Sequence, residues 1–155
     1  MVKYKHRIAD RILERKVLGK GAVLIEGPKW CGKTTTAKQL SKSILDLGDS
    51  SVLMQSSQLI EIGPKALLEG KTPRLIDEWQ ALPTIWDCIR SEVDRRGEPS
   101  QFILTGSSVL PEAEETIHSG TGRFAYIKMR TMSLYESGES TGSISLSDLF
   151  EGKSF

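Results

Sequence analysis

The stretch from Gly27 to Thr34, GPKWCGKT, limits what this chain can fold into more than any other part of its sequence. It fits the P-loop pattern G-x-x-x-x-G-K-[ST]. The apolar segment Ala22–Glu26 before it predicts a buried strand, and the apolar spacing that follows, as far as Ile44, predicts a helix. A strand, a glycine-bearing loop and a helix start can bind phosphate, because successive backbone N–H groups turn towards an anion and the helix dipole attracts it. The alternative is a strand–helix turn that matches the pattern by accident.

The residue types at these positions predict ATP and Mg²⁺ as ligands. The ammonium group of Lys33 would reach the β- and γ-phosphates, and the hydroxyl of Thr34 would ligate Mg²⁺. GTP is disfavoured because the sequence contains no asparagine and no Lys-x-Asp, so the usual guanine-reading motif is absent. The predicted nucleotide-binding residues are Gly27, Pro28, Lys29, Trp30, Cys31, Gly32, Lys33, Thr34 and Thr35.

A second informative stretch, Arg74–Glu78, is an apolar strand that ends in two acidic residues, similar to a Walker B motif. Asp77 would hold Mg²⁺, and Glu78 would orient or deprotonate a water for attack on the γ-phosphate. Pro73 and Arg74 depart from the apolar pattern, and a strand that simply ends at a solvated loop is the alternative. A water-activating Glu78 favours an ATP hydrolase over a small-molecule kinase.

The predicted strand in Gln101–Ser108 runs into a small polar turn. Thr105, Ser107 and Ser108 are candidates for a polar sensor of the γ-phosphate, and Thr105 is the one we assign to catalysis. A plain serine–glycine turn is the alternative.

Arg123 follows Gly120-Thr121-Gly122 and precedes a predicted strand at Phe124–Met129. An arginine in this place can act as a finger that stabilises transition-state charge, in cis or across a subunit interface of a homo-oligomer. A surface residue in a turn is the alternative.

The other elements frame these motifs. Residues 4–18 predict a helix with one apolar and one charged side; the charged side is read as solvated, or alternatively as bringing Tyr4 or Arg7 to the nucleotide base. The remaining predictions are a strand at 51–54, two helical pieces within 57–69 divided at Gly63-Pro64, and a helix at 81–97 whose Trp86 belongs to the core.

The length of 155 residues fits one domain, which we place at 1–136, with a Ser/Gly-rich loop and the start of a truncated segment at 137–155. A net charge of +1 gives no support to nucleic-acid binding. The apolar runs are too short for a membrane span, and no secretory signal is apparent. Cys31 and Cys88 lie far apart without metal-ligand spacing, which favours reduced thiols in a cytoplasmic protein.

Taken in order, the motifs resemble those of the bacterial and archaeal AAA-type ATPases that carry a C-terminal domain of uncharacterised function, the DUF4143 family. The stretches that carry the resemblance are Gly27–Thr34, Leu75–Gln80, Phe102–Ser108, Gly120–Arg123 and Met132–Glu136. The resemblance implies an α/β P-loop NTPase fold with a parallel five-stranded sheet in the order 5-1-4-3-2, flanked by helices. It also implies that Lys33 and Thr34 form Walker A, Asp77 and Glu78 form Walker B, and Arg123 is a finger.

These expectations combine into an Mg²⁺-dependent ATPase domain that acts as a nucleotide-driven switch for a C-terminal domain missing from this sequence, or for a partner. A binding module that holds ATP with little or no hydrolysis is the alternative.

Overall fold

The computed structural model describes residues 4–107 and 122–153. Its centre is a sheet of five strands in the order β2-β3-β4-β1-β5, and every pairing is parallel. The predicted order 5-1-4-3-2 is this order read from the other edge, so the predicted α/β P-loop NTPase fold is confirmed. The strands are β1 Ala22–Glu26, β2 Ser43–Asp46, β3 Arg74–Asp77, β4 Phe102–Gly106 and β5 Phe124–Lys128.

Helices connect the strands and cover both faces of the sheet. Among the described residues, none of them is long and apolar enough to cross a membrane. A 3₁₀ turn at Trp79–Ala81 follows β3. The helices are α1 Ile8–Gly19, α2 Lys33–Leu40, α3 Ser50–Ile62, α4 Pro64–Leu68, α5 Ile85–Arg96, α6 Leu134–Ser137 and α7 Leu146–Phe150.

The predicted second strand is wrong. Residues 51–54 lie inside α3, and the strand is formed by Ser43–Asp46. The carboxylate of Asp49 accepts hydrogen bonds from the backbone N–H groups of Ser51 and Val52 and so starts the helix there. The helix after the P-loop therefore ends at Leu40, earlier than its apolar spacing predicted.

The core has two layers because the central strands are buried on both faces. On one face, Trp86 stacks on Phe124 with ring centroids 4.4 Å apart, as expected for a core tryptophan. On the other face, Leu13 and Val17 of α1 pack against the sheet. Ile8, the first residue of this helix, is exposed.

Parallel strands end at a common edge, and this is what assembles the candidate site. The P-loop follows β1. Asp77 is the last residue of β3, and Glu78 comes directly after it. Thr105 is the second-last residue of β4. Three motifs that are far apart in the chain thus meet at the carboxyl edge of the sheet.

Candidate nucleotide-binding site

The P-loop closes tightly against the segment that follows β5. A Cβ atom at position 27 would overlap the carbonyl oxygen of Met129, so only glycine fits there. Gly32 has φ of +96°, a conformation that L side chains rarely adopt, and its missing Cβ would lie 3.0 Å from Nη1 of Arg7. The two glycines of the pattern are therefore required by the backbone path itself.

Lys33 and Thr34 open α2 and point towards the loop and the neighbouring strand. The buried Nζ of Lys33 donates hydrogen bonds of 2.9 Å to the carbonyl oxygens of Gly27 and Pro28. Oγ1 of Thr34 donates to Oδ1 of Asp77 over 2.8 Å. The ammonium group thus already lies inside the loop that would surround a phosphate.

The same carboxylate oxygen of Asp77 also accepts a hydrogen bond from the hydroxyl of Thr105. Thr105 is fully buried, and Asp77 is 6% exposed. Of the three sensor candidates, the structure brings Thr105 into contact with Asp77, which also binds Thr34. Ser107 lies at the turn after β4. Ser108 lies outside the described residues.

Glu78 faces the same cavity as the P-loop. That cavity has a volume of about 500 Å³ and is lined by Lys29, Trp30, Gly32, Lys33, Thr34, Thr35 and Glu78. Glu78 has φ of +54°, which is uncommon for a residue with a side chain and marks a constrained position.

Gln80 is a site residue that the sequence reasoning did not assign. Its amide nitrogen donates to Oε2 of Glu78 and lies 3.4 Å from the hydroxyl of Ser107. The amide therefore holds the carboxylate in place and connects it to the turn after β4. Gln80 stands within the quoted stretch Leu75–Gln80, but its spacing gave no sign of this contact.

A second cavity of about 570 Å³ adjoins the P-loop on the side of α2. It is lined by Tyr4, Lys5, Arg7, Trp30, Cys31, Gly32, Thr35, Thr36, Gln39 and Met132. The hydroxyl of Tyr4 donates to Asp10 over 2.6 Å, and burial together with this hydrogen bond raises the pKa of Tyr4 to about 12. Met132 is a further lining residue that was not assigned to the site, although it stands in the stretch Met132–Glu136 that carries the family resemblance.

Trp30 stands at the outer wall of both cavities. Its side chain is 98% exposed, and its φ of +69° is unusual for a bulky residue. The indole is thus presented to solvent at the mouth of the loop.

Arg123 lies elsewhere. Its carbonyl accepts from the backbone N–H of Ala22, at the amino edge of the sheet, and its side chain pairs with Asp94 of α5. The length of β5 separates it from the P-loop of its own chain, so a finger in cis does not agree with this placement. A finger in trans remains a prediction.

The donors around Asp77 suit a hard divalent cation. Thr34 supplies a hydroxyl oxygen and Asp77 a carboxylate oxygen, which are ligands that Mg²⁺ accepts. In the described part of the chain there is no group of three or more His, Cys, Asp or Glu residues that could hold a metal ion.

Comparison with known families agrees with this geometry. The model of a family described as "AAA domain" matches residues 19–138, which include every motif of the carboxyl edge. The chain belongs to this AAA domain family. Membership indicates a nucleotide-binding domain of the ATPase type.

Two uncharacterized mycobacterial proteins are similar to this AAA domain, one from Mycobacterium bovis and one from Mycobacterium tuberculosis. Each is 27% identical over 138 residues, which cover 88% of this chain and 31% of the relative. The chain thus spans about a third of the length of these curated relatives. A C-terminal DUF4143 domain remains a prediction from the sequence.

Proposed function

We propose that this AAA domain binds ATP together with Mg²⁺ and hydrolyses it, and that the cycle switches a C-terminal domain or a partner. The observation that carries the proposal is the meeting of Lys33, Thr34, Asp77, Glu78 and Thr105 at one edge of the sheet, around or next to one cavity. A structural turn would need neither the buried ammonium group nor the acidic pair.

Phosphate binding would use groups that are already in position. Two carbonyl oxygens hold the ammonium of Lys33 inside the loop, and phosphate oxygens would replace them as stronger, charged acceptors. The first N–H groups of α2 have no partner within the helix and add a favourable field for an anion.

Thr34 and Asp77 would hold Mg²⁺, which supplies charge neutralisation of the phosphate oxygens. Thr105 donates to the same oxygen of Asp77 that accepts from Thr34, and it thereby orients the carboxylate.

Hydrolysis would depend on Glu78. Its carboxylate aligns a water whose oxygen forms a bond to the γ-phosphorus, while the bond to the bridging oxygen of ADP breaks and the water proton passes to the carboxylate. The amide of Gln80 fixes Oε2 and leaves Oε1 for the water. The same contact also fits the alternative, a binding module with little hydrolysis, because it engages one of the two oxygens that Glu78 would use to activate water.

The second cavity is the proposed place of the nucleotide base. It begins at Thr35 and Thr36, directly after the phosphate-binding residues, and Tyr4 and Met132 supply apolar surface for a flat ring.

The test is calorimetric binding of ATP and GTP with Mg²⁺, beside phosphate release, for the wild type and three variants. Lys33→Ala should weaken ATP binding by at least about a hundredfold, since it removes the charge that phosphate contacts. Glu78→Gln should bind ATP as the wild type does and lose turnover. Lys38→Ala, an exposed lysine on the same helix, is the control and should change neither quantity.

Unchanged ATP affinity in Lys33→Ala would overturn the binding proposal. Wild-type binding without phosphate release, equal in Glu78→Gln, would instead favour the binding module.

A further inference from the structure

Arg7 is a buried cation at the wall of the second cavity, and no step of the proposed phosphate chemistry uses it. Its side chain is 6% exposed and contacts three separate parts of the chain. Nη1 donates to the carbonyl oxygen of Cys31 over 2.7 Å, Nη2 to that of Arg130 over 2.9 Å, and Nε to the carboxylate of Glu136 over 3.1 Å. A guanidinium so fully engaged joins the P-loop to the segment after β5.

The contact with Cys31 has a geometric effect on the next N–H group. In a trans peptide the carbonyl and the following N–H point in opposite directions. Because Nη1 of Arg7 holds the carbonyl of Cys31, the N–H of Gly32 in the same peptide points away from Arg7. Without that contact the peptide 31–32 could rotate, because Gly32 tolerates many backbone conformations.

We propose that Arg7 is a positioning residue for phosphate binding, and that it couples the P-loop to residues 130–137. The inference rests on the proposed function, because it concerns the anion that the loop would hold. Arg7 does not touch the phosphate in this role; it acts through the Cys31–Gly32 peptide.

The far end of the link is firmly held. One carboxylate oxygen of Glu136 accepts from Arg7 and from the backbone N–H of Ile8 over 2.7 Å, and the other accepts from the N–H and hydroxyl of Ser133. Burial opposes ionisation of this group, but these hydrogen bonds lower the pKa of Glu136 to about 2. The ion pair therefore persists at neutral pH, and α6 cannot leave without breaking the contacts of Arg7.

Coupling of this kind is reciprocal. If the contacts of Glu136 affect how well the loop binds an anion, then an anion in the loop must also stabilise these contacts. Residues 130–137 are thereby placed to respond to whether the P-loop is occupied.

The first experiment measures ADP affinity for the wild type, Arg7→Gln, Arg7→Lys and the control Arg15→Gln, an exposed arginine on the same helix. Thermal unfolding of each variant checks that it is folded. We expect Arg7→Gln to bind ADP at least about tenfold more weakly. This corresponds to losing one hydrogen bond from the N–H of Gly32 to a charged phosphate oxygen. Arg7→Lys should recover part of the affinity, and Arg15→Gln should match the wild type.

The amide resonance of Gly32 provides a readout that general destabilisation would not move. In ligand-free protein it should shift in Arg7→Gln and stay in place in Arg15→Gln. A folded Arg7→Gln variant with wild-type ADP affinity and an unmoved Gly32 resonance would overturn the inference.

A second measurement uses the wild type alone and stands if the Arg7 variants do not fold. Hydrogen exchange of the backbone amides of Glu136 and Ser137 should slow on addition of ADP, and unchanged exchange would contradict the coupling. Failure of the proposed function is distinct: ADP would then bind neither the wild type nor Lys33→Ala, whereas binding that Lys33→Ala abolishes and Arg7→Gln leaves intact sinks only the role of Arg7.

Discussion

The two edges of the sheet use similar charged residues in opposite ways. At the carboxyl edge, Lys33 and Glu78 line a cavity of about 500 Å³, and Asp77 accepts a hydrogen bond from the lining residue Thr34. At the amino edge, Glu92 and Arg96 are ion-paired over 2.6 Å, and Arg96 also donates to Gln101 and to the carbonyl of Leu68. The first set of charges faces a space that a ligand can enter, whereas Glu92 and Arg96 are engaged by other groups of the protein.

The difference shows that a buried charge by itself does not mark a site. The guanidinium of Arg96 lies 5.1 Å from the ring of Phe102, and Glu92 accepts hydrogen bonds from both Arg95 and Arg96. Glu92 and Arg96 are each matched by partners within the protein, so this network serves the fold. At the carboxyl edge, the same kinds of groups keep hydrogen bonds that a phosphate or a cation can replace.

The largest expected effect tests the amino edge. Glu92→Ala leaves Arg96 largely buried without its carboxylate, and we expect a loss of about 3 kcal/mol in the free energy of unfolding, measured by urea titration. ATP affinity should be unchanged. Asp87→Ala, on the same helix but exposed, is the matched control and should have a small effect. An equal fall in ATP affinity in Glu92→Ala would remove the distinction between the edges.

Acid should act on the same network. The hydrogen bonds from Arg95, and then those from Arg96, lower the pKa of Glu92 from 4.5 to about 2. Because the folded pKa lies below the unfolded one, this contribution is present above about pH 4.5 and is lost as the pH falls towards 2. We expect roughly 2 kcal/mol of stability to disappear over that range, and less in Glu92→Gln. Equal pH dependence in both proteins would argue against the pairing.

At the carboxyl edge, Asp77→Asn should separate binding from stability. We expect the gain in ATP affinity that Mg²⁺ provides to fall at least about tenfold, because a neutral amide is a poorer Mg²⁺ ligand than a carboxylate. Unfolding stability should be equal or higher, since a buried charge is removed. Calorimetry with Mg²⁺ and with a chelator, beside urea unfolding, measures both. A large loss of unfolding stability would show that Asp77 serves the fold, as Glu92 does at the amino edge.

The smallest effect is expected for Arg123→Ala. The pair with Asp94 is exposed, so its removal should hardly change stability. In dilute protein the rate of phosphate release should also be unchanged, because Arg123 is at the far edge from the P-loop of its own chain. A decrease in rate that grows with protein concentration would reveal a finger in trans and would give the amino edge a catalytic role.

The sequence predicted the carboxyl edge well because its motifs are local. A P-loop pattern between a strand and a helix specifies a backbone path, and the acidic pair after Leu75-Ile76 has its place once the strands are parallel. The break at Gly63-Pro64 was equally local and is confirmed by the boundary between α3 and α4. Thr105 was one of three sensor candidates and the one assigned to catalysis, and its contact with Asp77 depends on where β4 ends.

The predicted position of the second strand was wrong for a physical reason. Ser43–Asp46 and residues 51–54 are both short segments that contain apolar residues, and periodicity does not distinguish a strand from a helix at that length. The capping carboxylate of Asp49 decides between them. The signal for a helix start was present in Asp49, directly before the segment 50–54.

The link between Arg7 and Glu136 was beyond sequence reasoning. The two residues are 129 positions apart, and Arg7 stands in a charge run that resembles any solvated helix face. Its burial depends on the packing of the segment after β5 over the P-loop. Long-range pairs of this kind carry no periodic signal.

Trp30 gives the molecule a built-in optical probe. The protein has three tryptophans, and Trp79 and Trp86 are 2% and 1% exposed, whereas Trp30 is 98% exposed. A soluble quencher such as acrylamide therefore reaches the indole of Trp30, whereas the indoles of Trp79 and Trp86 are shielded from it. A ligand that fills the mouth of the loop would protect this indole, so occupancy can be read from unlabelled protein by the fraction of emission that stays quenchable.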